Sequence, residues 1–154
     1  MPCTEMARLR VCVVCLGNIC RSPLGEAALV ASARQAGLEM DVDSAGTGGW
    51  HIGSAPDRRS IRAAARAGWD ISRQRARQLT AADLDRFDWI LAMDATNLAD
   101  IAALGTGRAE LALFLPDGTG VPDPYHADED AFDRVVAMLE PAAAHWIARW
   151  RTTP

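Results

Sequence analysis

Residues 11–29, VCVVCLGNICRSPLGEAAL, constrain the fold of this chain more than any other stretch. Val11 to Val14 is a short valine-rich run and reads as a buried strand. Pro23 then opens a helix that runs to about Gly37, proline being favoured in a first turn and glycine just past a helix end. The alternation continues. MDVDSAG (40–46), FDWILAMD (87–94) and ELALFLP (110–116) read as further strands. PDRRSIRAAARAG (56–68), a short segment with Thr80 as its N-cap, and Asp94 to Leu104 read as the helices between them. A last helix spans about 129–150, with Phe132, Val135, Val136, Leu139, Ala143, Trp146 and Ile147 on one apolar face. Pro141 is expected to kink it or break it in two. Strands alternating with helices imply one α/β domain over residues 1–154, a four-stranded parallel sheet flanked by helices on both faces. In such sheets ligands bind outside the carboxyl ends of the strands, and the first strand ends at Cys15.

Composition narrows the chemistry. All 16 basic residues are arginine, so a Walker A loop, a pyridoxal Schiff base and other lysine nucleophiles are excluded. Four irregularly spaced cysteines do not form a disulfide framework. The N-terminal MPCTEMARLR does not read as a secretory signal, and no apolar run approaches a membrane span, so a cytoplasmic, reducing setting is expected. A formal net charge of −4 argues against nucleic acid as the main partner. No metal or cofactor is expected. His51, His126 and His145 show no ligand spacing with the cysteines, and Cys12, inside an apolar strand, reads as core filler rather than half of a redox CxxC. Cys3 reads as a near-terminal thiol without a role.

Cys15 and Arg21 bracket LGNIC, a short loop running from the strand into a helix capped by Ser22 and Pro23. Backbone N–H groups in such a loop, with the helix N-terminus behind them, form an anion nest. Thiols in this setting are held as nucleophilic thiolates. Arg21 offers a planar fork to two oxygens of a tetrahedral oxyanion, and Gly17 and Asn18 tolerate the left-handed backbone that a tight cradle needs. Ser22 can donate a hydrogen bond to sulfur. The chemistry that uses all of this is attack of sulfur on a bound phosphate. In VPDPY the prolines hold Asp123 extended on a stiff turn, where a carboxyl can serve as general acid. A bound phosphate dianion nearby favours its protonated form. Trp50 lies in the glycine-rich loop GTGGWHIG and is expected to be exposed. Asp94 reads as a helix cap or a supporting residue. The arginine-rich stretch Arg58, Arg59, Arg62, Arg66, Arg73, Arg75 and Arg77 reads as a solvated face.

VCLGNICRSP resembles the signature of the low-molecular-weight protein tyrosine phosphatases, bacterial members included. The resemblance extends through DSAGTGGWHIG, ARQLT, ILAMDATNL and DPY, so it covers essentially the whole chain. It implies metal-free hydrolysis of protein phosphotyrosine through a thiol-phosphate, with Cys15 as nucleophile and Asp123 as general acid and then base. The phosphate would rest on Arg21 and on the loop of Leu16, Gly17, Asn18, Ile19, Cys20 and Ser22. The resemblance further implies that Asn18, Ser22 and Ser44 hold the loop, that Trp50 and Tyr125 wall the substrate slot, and that Cys20 forms a reversible disulfide with Cys15. The implied partner is a phosphotyrosine protein, with a bacterial tyrosine kinase among the candidates. Two departures appear. Gln74 replaces a histidine of many members, so a charged contact to Glu26 and Asp43 is expected to be lost or made neutral, and His126 replaces a tyrosine of some members. An arsenate reductase on the same fold needs further cysteines, and none follows Cys20. Arginine phosphatases of the family carry threonine where Ile19 stands. A non-catalytic phosphotyrosine-binding module is disfavoured because Cys15, Arg21 and Asp123 are all present.

Overall fold

The structure, a computed structural model, describes residues 8–152; Cys3 lies outside them. Four strands, β1 (Leu9–Cys15), β2 (Met40–Gly46), β3 (Trp89–Ala92) and β4 (Glu110–Leu113), pair in parallel in the order β2-β1-β3-β4. The helices are α1 (Arg21–Ala36), α2 (Arg58–Arg66), α3 (Asp83–Arg86), α4 (Ala95–Ala102) and α5 (Glu129–Arg151).

Each face of the sheet carries its own core. Val11, Val13 and Cys15 pack toward α1, α2 and α5, with Leu24, Leu29, Phe114, Phe132, Leu139, Trp146 and Ile147. Cys12 and Val14 face the other way, toward Leu84 of α3, Phe87 and Ile101 of α4. Side chains alternate along a strand. Cys12 and Cys15 are three residues apart and therefore lie on opposite faces, so they form neither a redox pair nor a metal clamp. Cys12 is fully buried, and burial pushes its thiol well up.

Three expectations about helices need correction. First, α1 starts at Arg21, with Cys20 at the N-cap position and no side-chain cap. Ser22 is inside the helix because its hydroxyl is engaged by Asn18 and Cys15. Second, Thr80 does not cap α3; Ala82 is the N-cap, and the Asp83 carboxylate reaches back to the Thr80 amide at 2.8 Å. Third, α5 runs unbroken through Pro141. The proline sits on the exposed side, while Ala142, Ala143, Trp146, Ile147 and Trp150 anchor the turns beyond it in the core. The arginines of α2 are largely paired: Arg62 grips Glu129 with two bonds of 2.8 and 2.9 Å, and Arg66 meets Asp133 at 2.9 Å.

The chain order changes direction between β1 and β3, which are neighbours in the sheet. A crevice forms outside the carboxyl ends of strands at such a point. Cys15 ends β1 there, and Asp94 follows β3 as the N-cap of α4. No helix of the described residues is long and apolar enough to cross a membrane.

Candidate active site

The loop from Leu16 to Cys20 is held from several directions. Asn18 takes left-handed backbone, φ 58°. Its side-chain NH2 donates to Ser22 Oγ at 2.8 Å and to Ser44 Oγ at 3.0 Å, and its Oδ1 accepts the Arg77 amide at 3.0 Å. Ser22 Oγ lies 3.1 Å from Cys15 Sγ and already accepts from Asn18. Toward a Cys15 thiolate, which has no hydrogen to give, Ser22 is the donor, and that bond favours the thiolate.

β2 is tied to the same loop. Thr47 N donates to the Cys15 carbonyl at 3.0 Å and Gly48 N to the Leu16 carbonyl at 2.9 Å. Gly46 makes the approach possible: a Cβ there would lie 2.8 Å from the Leu16 carbonyl oxygen and 3.1 Å from Asn18 N.

Arg21 is buried, and its guanidinium is fixed on one edge. Nη1 donates to Asp94 Oδ2 at 2.7 Å and to the Val121 carbonyl at 2.9 Å. Nη2 faces Asp123 Oδ2 at 3.7 Å. Asp123 is half-exposed and is steadied by the Tyr125 amide, which donates to Oδ1 at 3.1 Å. The Asp94 carboxylate serves two purposes at once, holding Arg21 with Oδ2 and capping α4 through the Asn97 amide with Oδ1.

These groups open onto a cavity of about 240 Å³. Cys15, Arg21 and Asp123 line it, with Leu16, Gly17, Ile19 and Cys20 of the loop and Trp50 and Tyr125 above. Asn18, Ser22, Ser44 and Asp94 lie behind this surface, as the hydrogen bonds require. Trp50 is exposed, as expected from its loop. Cys20 shares the cavity, and burial, with Asp57 and Cys15 nearby, pushes its thiol up to about 12.

A model of the family described as low molecular weight phosphotyrosine protein phosphatase matches residues 10–153. The chain belongs to that family. As a low molecular weight phosphatase it is 37% identical to the low molecular weight protein-tyrosine-phosphatase of Streptomyces coelicolor, over 92% of this chain and 93% of the relative. Its fold superposes on YfkJ from Bacillus subtilis with a TM-score of 0.86 at 33% identity, covering 96% and 98% of the two chains. Wzb from Vibrio vulnificus, solved in complex with benzylphosphonate, gives 0.84 at 28% identity over 93% and 99%. The protein is thus a protein-tyrosine-phosphatase of the low molecular weight class.

The same cavity also contains residues that the sequence did not single out. His51 and His126 line the cavity, and the His51 ring packs on Gly17. Position beside Trp50 and Tyr125 was the only signal for them. Arg59 donates to the Tyr125 and Ala127 carbonyls at 2.9 and 3.2 Å, tying the Asp123 loop to α2. Gln74 does not contact Glu26 or Asp43 as a charged brace. Its Nε2 donates to the Pro23 carbonyl at 3.2 Å, and Asp43 pairs with Arg77 at 3.1 Å. Among the described residues, no group of three His, Cys, Asp or Glu side chains could hold a metal ion.

Proposed function

We propose that this phosphatase cleaves phosphotyrosine in proteins through a cysteinyl-phosphate. The observation that carries the reading is the meeting of the Cys15 sulfur, the Arg21 guanidinium and the Asp123 carboxyl in one cavity walled by Trp50 and Tyr125. The Cys15 thiolate attacks phosphorus, the P–O bond to the tyrosine breaks, and the Asp123 carboxylic acid gives its proton to the departing phenolate oxygen. The Asp123 carboxylate then takes a proton from water as that water attacks phosphorus, and the P–S bond breaks to release phosphate and thiolate. The loop amides of Leu16 to Ser22 and the free edge of Arg21 stabilise the equatorial oxygens in both steps. The Ser22 hydroxyl, aimed at sulfur, eases its departure in the second.

The aromatic walls favour an aryl phosphate over a short alkyl one. Stacking on a phenyl ring adds about 0.5–1.5 kcal/mol beyond burial. That the Vibrio vulnificus relative was solved with benzylphosphonate, a benzyl group on a phosphonate, supports the same substrate shape. Cys15 must stay a free thiol, which suits a reducing, cytoplasmic setting; the described cysteines are free. Cys20, in the same cavity, is the candidate resolving thiol for a reversible disulfide with Cys15. A phosphorylated bacterial tyrosine kinase is a candidate partner.

The test is hydrolysis of p-nitrophenyl phosphate in EDTA, then of phosphotyrosine, phosphoserine and phosphoarginine peptides. Cys15→Ser is expected to lose turnover while still binding vanadate. Asp123→Ala is expected to lose about 10²–10⁴-fold, most on the poorest leaving groups. Equal slowing across a leaving-group series would remove Asp123 from the acid role.

A further inference from the structure

A second cavity of about 580 Å³ lies between α1 and residues 68–74, and it shares no lining residue with the Cys15 site. Glu26, Arg34, Trp69, Asp70, Arg73 and Gln74 supply its polar and aromatic lining. Its inner part is rich in acceptors. Gln74 spends its NH2 on the Pro23 carbonyl, and its Oε1 is buried without a donor. Glu26 is half-buried, receives the Ser44 hydroxyl and makes no ion pair among the described residues. Arg77, whose charge acts on it, is already taken by Asp43 and Asp83 at 3.1 Å each. Burial raises the Glu26 carboxyl from 4.5 to about 7, more than the Ser44 hydrogen bond and the Arg77 charge offset. A buried acceptor left unpaired is costly, so the inner part calls for N–H donors on a cation.

The outer part has the opposite character. Arg34 and Arg73 are exposed and form no ion pair among the described residues, whereas Asp70 is occupied by the Ser72 amide and hydroxyl at 2.9 and 2.6 Å. Trp69, half-buried, forms an aromatic wall of the cavity. Acceptors within and guanidinium groups at the mouth are complementary to one small molecule with a positive and a negative end.

We propose that this cavity binds a small zwitterion of amino-acid type, with its ammonium or guanidinium head at Glu26 and Gln74 and its carboxylate toward Arg34 and Arg73. The site is separate from the phosphatase cleft, so its test does not depend on catalysis. Uniformly ¹⁵N-labelled full chain is titrated at about pH 8 with L-arginine, agmatine and acetate. The indole N–H signals of Trp69 and Trp50 are followed, each assigned by its Trp→Phe variant. L-Arginine is expected to shift Trp69 saturably and leave Trp50 in place. Agmatine, which lacks the carboxylate, is expected to bind about threefold weaker or worse, and acetate not at all. Glu26→Gln is expected to weaken L-arginine about tenfold, and Arg34→Gln with Arg73→Gln to bring it down to the agmatine value. Absence of a saturable Trp69 shift, a shift confined to Trp50, agmatine binding as tightly as arginine, or full affinity in Glu26→Gln would each overturn the proposal.

Discussion

Asn18 spends one amide hydrogen on Ser22 and the other on Ser44, which leaves each serine its own hydrogen to give. A Cys15 thiolate takes the hydrogen of Ser22, and the Glu26 carboxylate takes that of Ser44. Burial, working against the Ser44 hydrogen bond, makes Glu26 a pH-sensitive point in the fold. Its folded-state pKa of about 7 lies above the ordinary 4.5, so the folded chain keeps a proton that the unfolded chain releases between those values. The contribution of Glu26 to stability is therefore fully present below 4.5 and is lost as pH rises through about 7, by up to about 3 kcal/mol at 1.36 kcal/mol per unit. Glu26→Gln is expected to lack this decline. Urea denaturation of both proteins at about pH 5 and about pH 8 measures it, and an identical pH dependence in the two would refute it. At this scale Cys15, Arg21 and Asp123 were legible because each sits in a short punctuated motif, CLGNICR or PDP, whose local conformation limits what the side chain can do. His51, Arg59 and Arg77 were not, because each acts on a partner far along the chain. The Arg77 amide, for example, reaches Asn18 across 59 residues.

Strand positions followed from apolar runs, and β2 begins and ends where its alternation with turn residues placed it. Helix ends were less legible because capping depends on where a polar side chain is already committed. Ser22 and Thr80 are ordinary cap residues by type, yet Ser22 faces sulfur and Thr80 is itself gripped by Asp83. Pro141 shows tertiary packing overriding a local rule. Replacing it with alanine restores a backbone donor and improves helix propensity by about 3 kcal/mol, partly offset by a more flexible unfolded chain. Pro141→Ala is expected to stabilise the protein by about 1–2 kcal/mol and raise its Tm by a few degrees without changing kcat. Calorimetry beside a p-nitrophenyl phosphate assay reads both. The end of β2 is far less tolerant. Gly46→Ala places a methyl group 2.8 Å from the Leu16 carbonyl oxygen in the loop after Cys15. A loop displaced by about 1 Å loses rate by about 10²-fold. The expected result is a fall of at least about tenfold in kcat/KM with an unchanged far-UV circular dichroism spectrum.

The strand order β2-β1-β3-β4 brings the ends of β1 and β3 side by side, and everything reactive gathers over that junction. Alternating strands and helices announced a parallel sheet, but not which strands would be neighbours, since local patterns do not record long-range pairing. The wall carrying Asp123 and Tyr125 is integrated into the molecule by Arg59. That side chain bonds two carbonyls of the wall, stacks 4.5 Å above the Phe132 ring and pairs with Asp57 at 3.0 Å. Arg59→Gln is expected to loosen the wall without touching the nucleophile. KM for phosphotyrosine peptides should rise several-fold while the burst of p-nitrophenol in the first turnover keeps its amplitude, and stopped-flow kinetics separates the two.

The nine residues from Cys15 to Pro23 look like a portable cassette, but their supports are scattered. Asn18 leans on Ser44, 26 residues away, and Arg21 on Asp94 and Val121, at separations of 73 and 100. Grafting the cassette onto another strand–helix turn would transfer a cysteine and an arginine without the posts that aim them. A designer wishing to move this chemistry must carry over the junction of β1, β2 and β3, with the start of α4, as one piece.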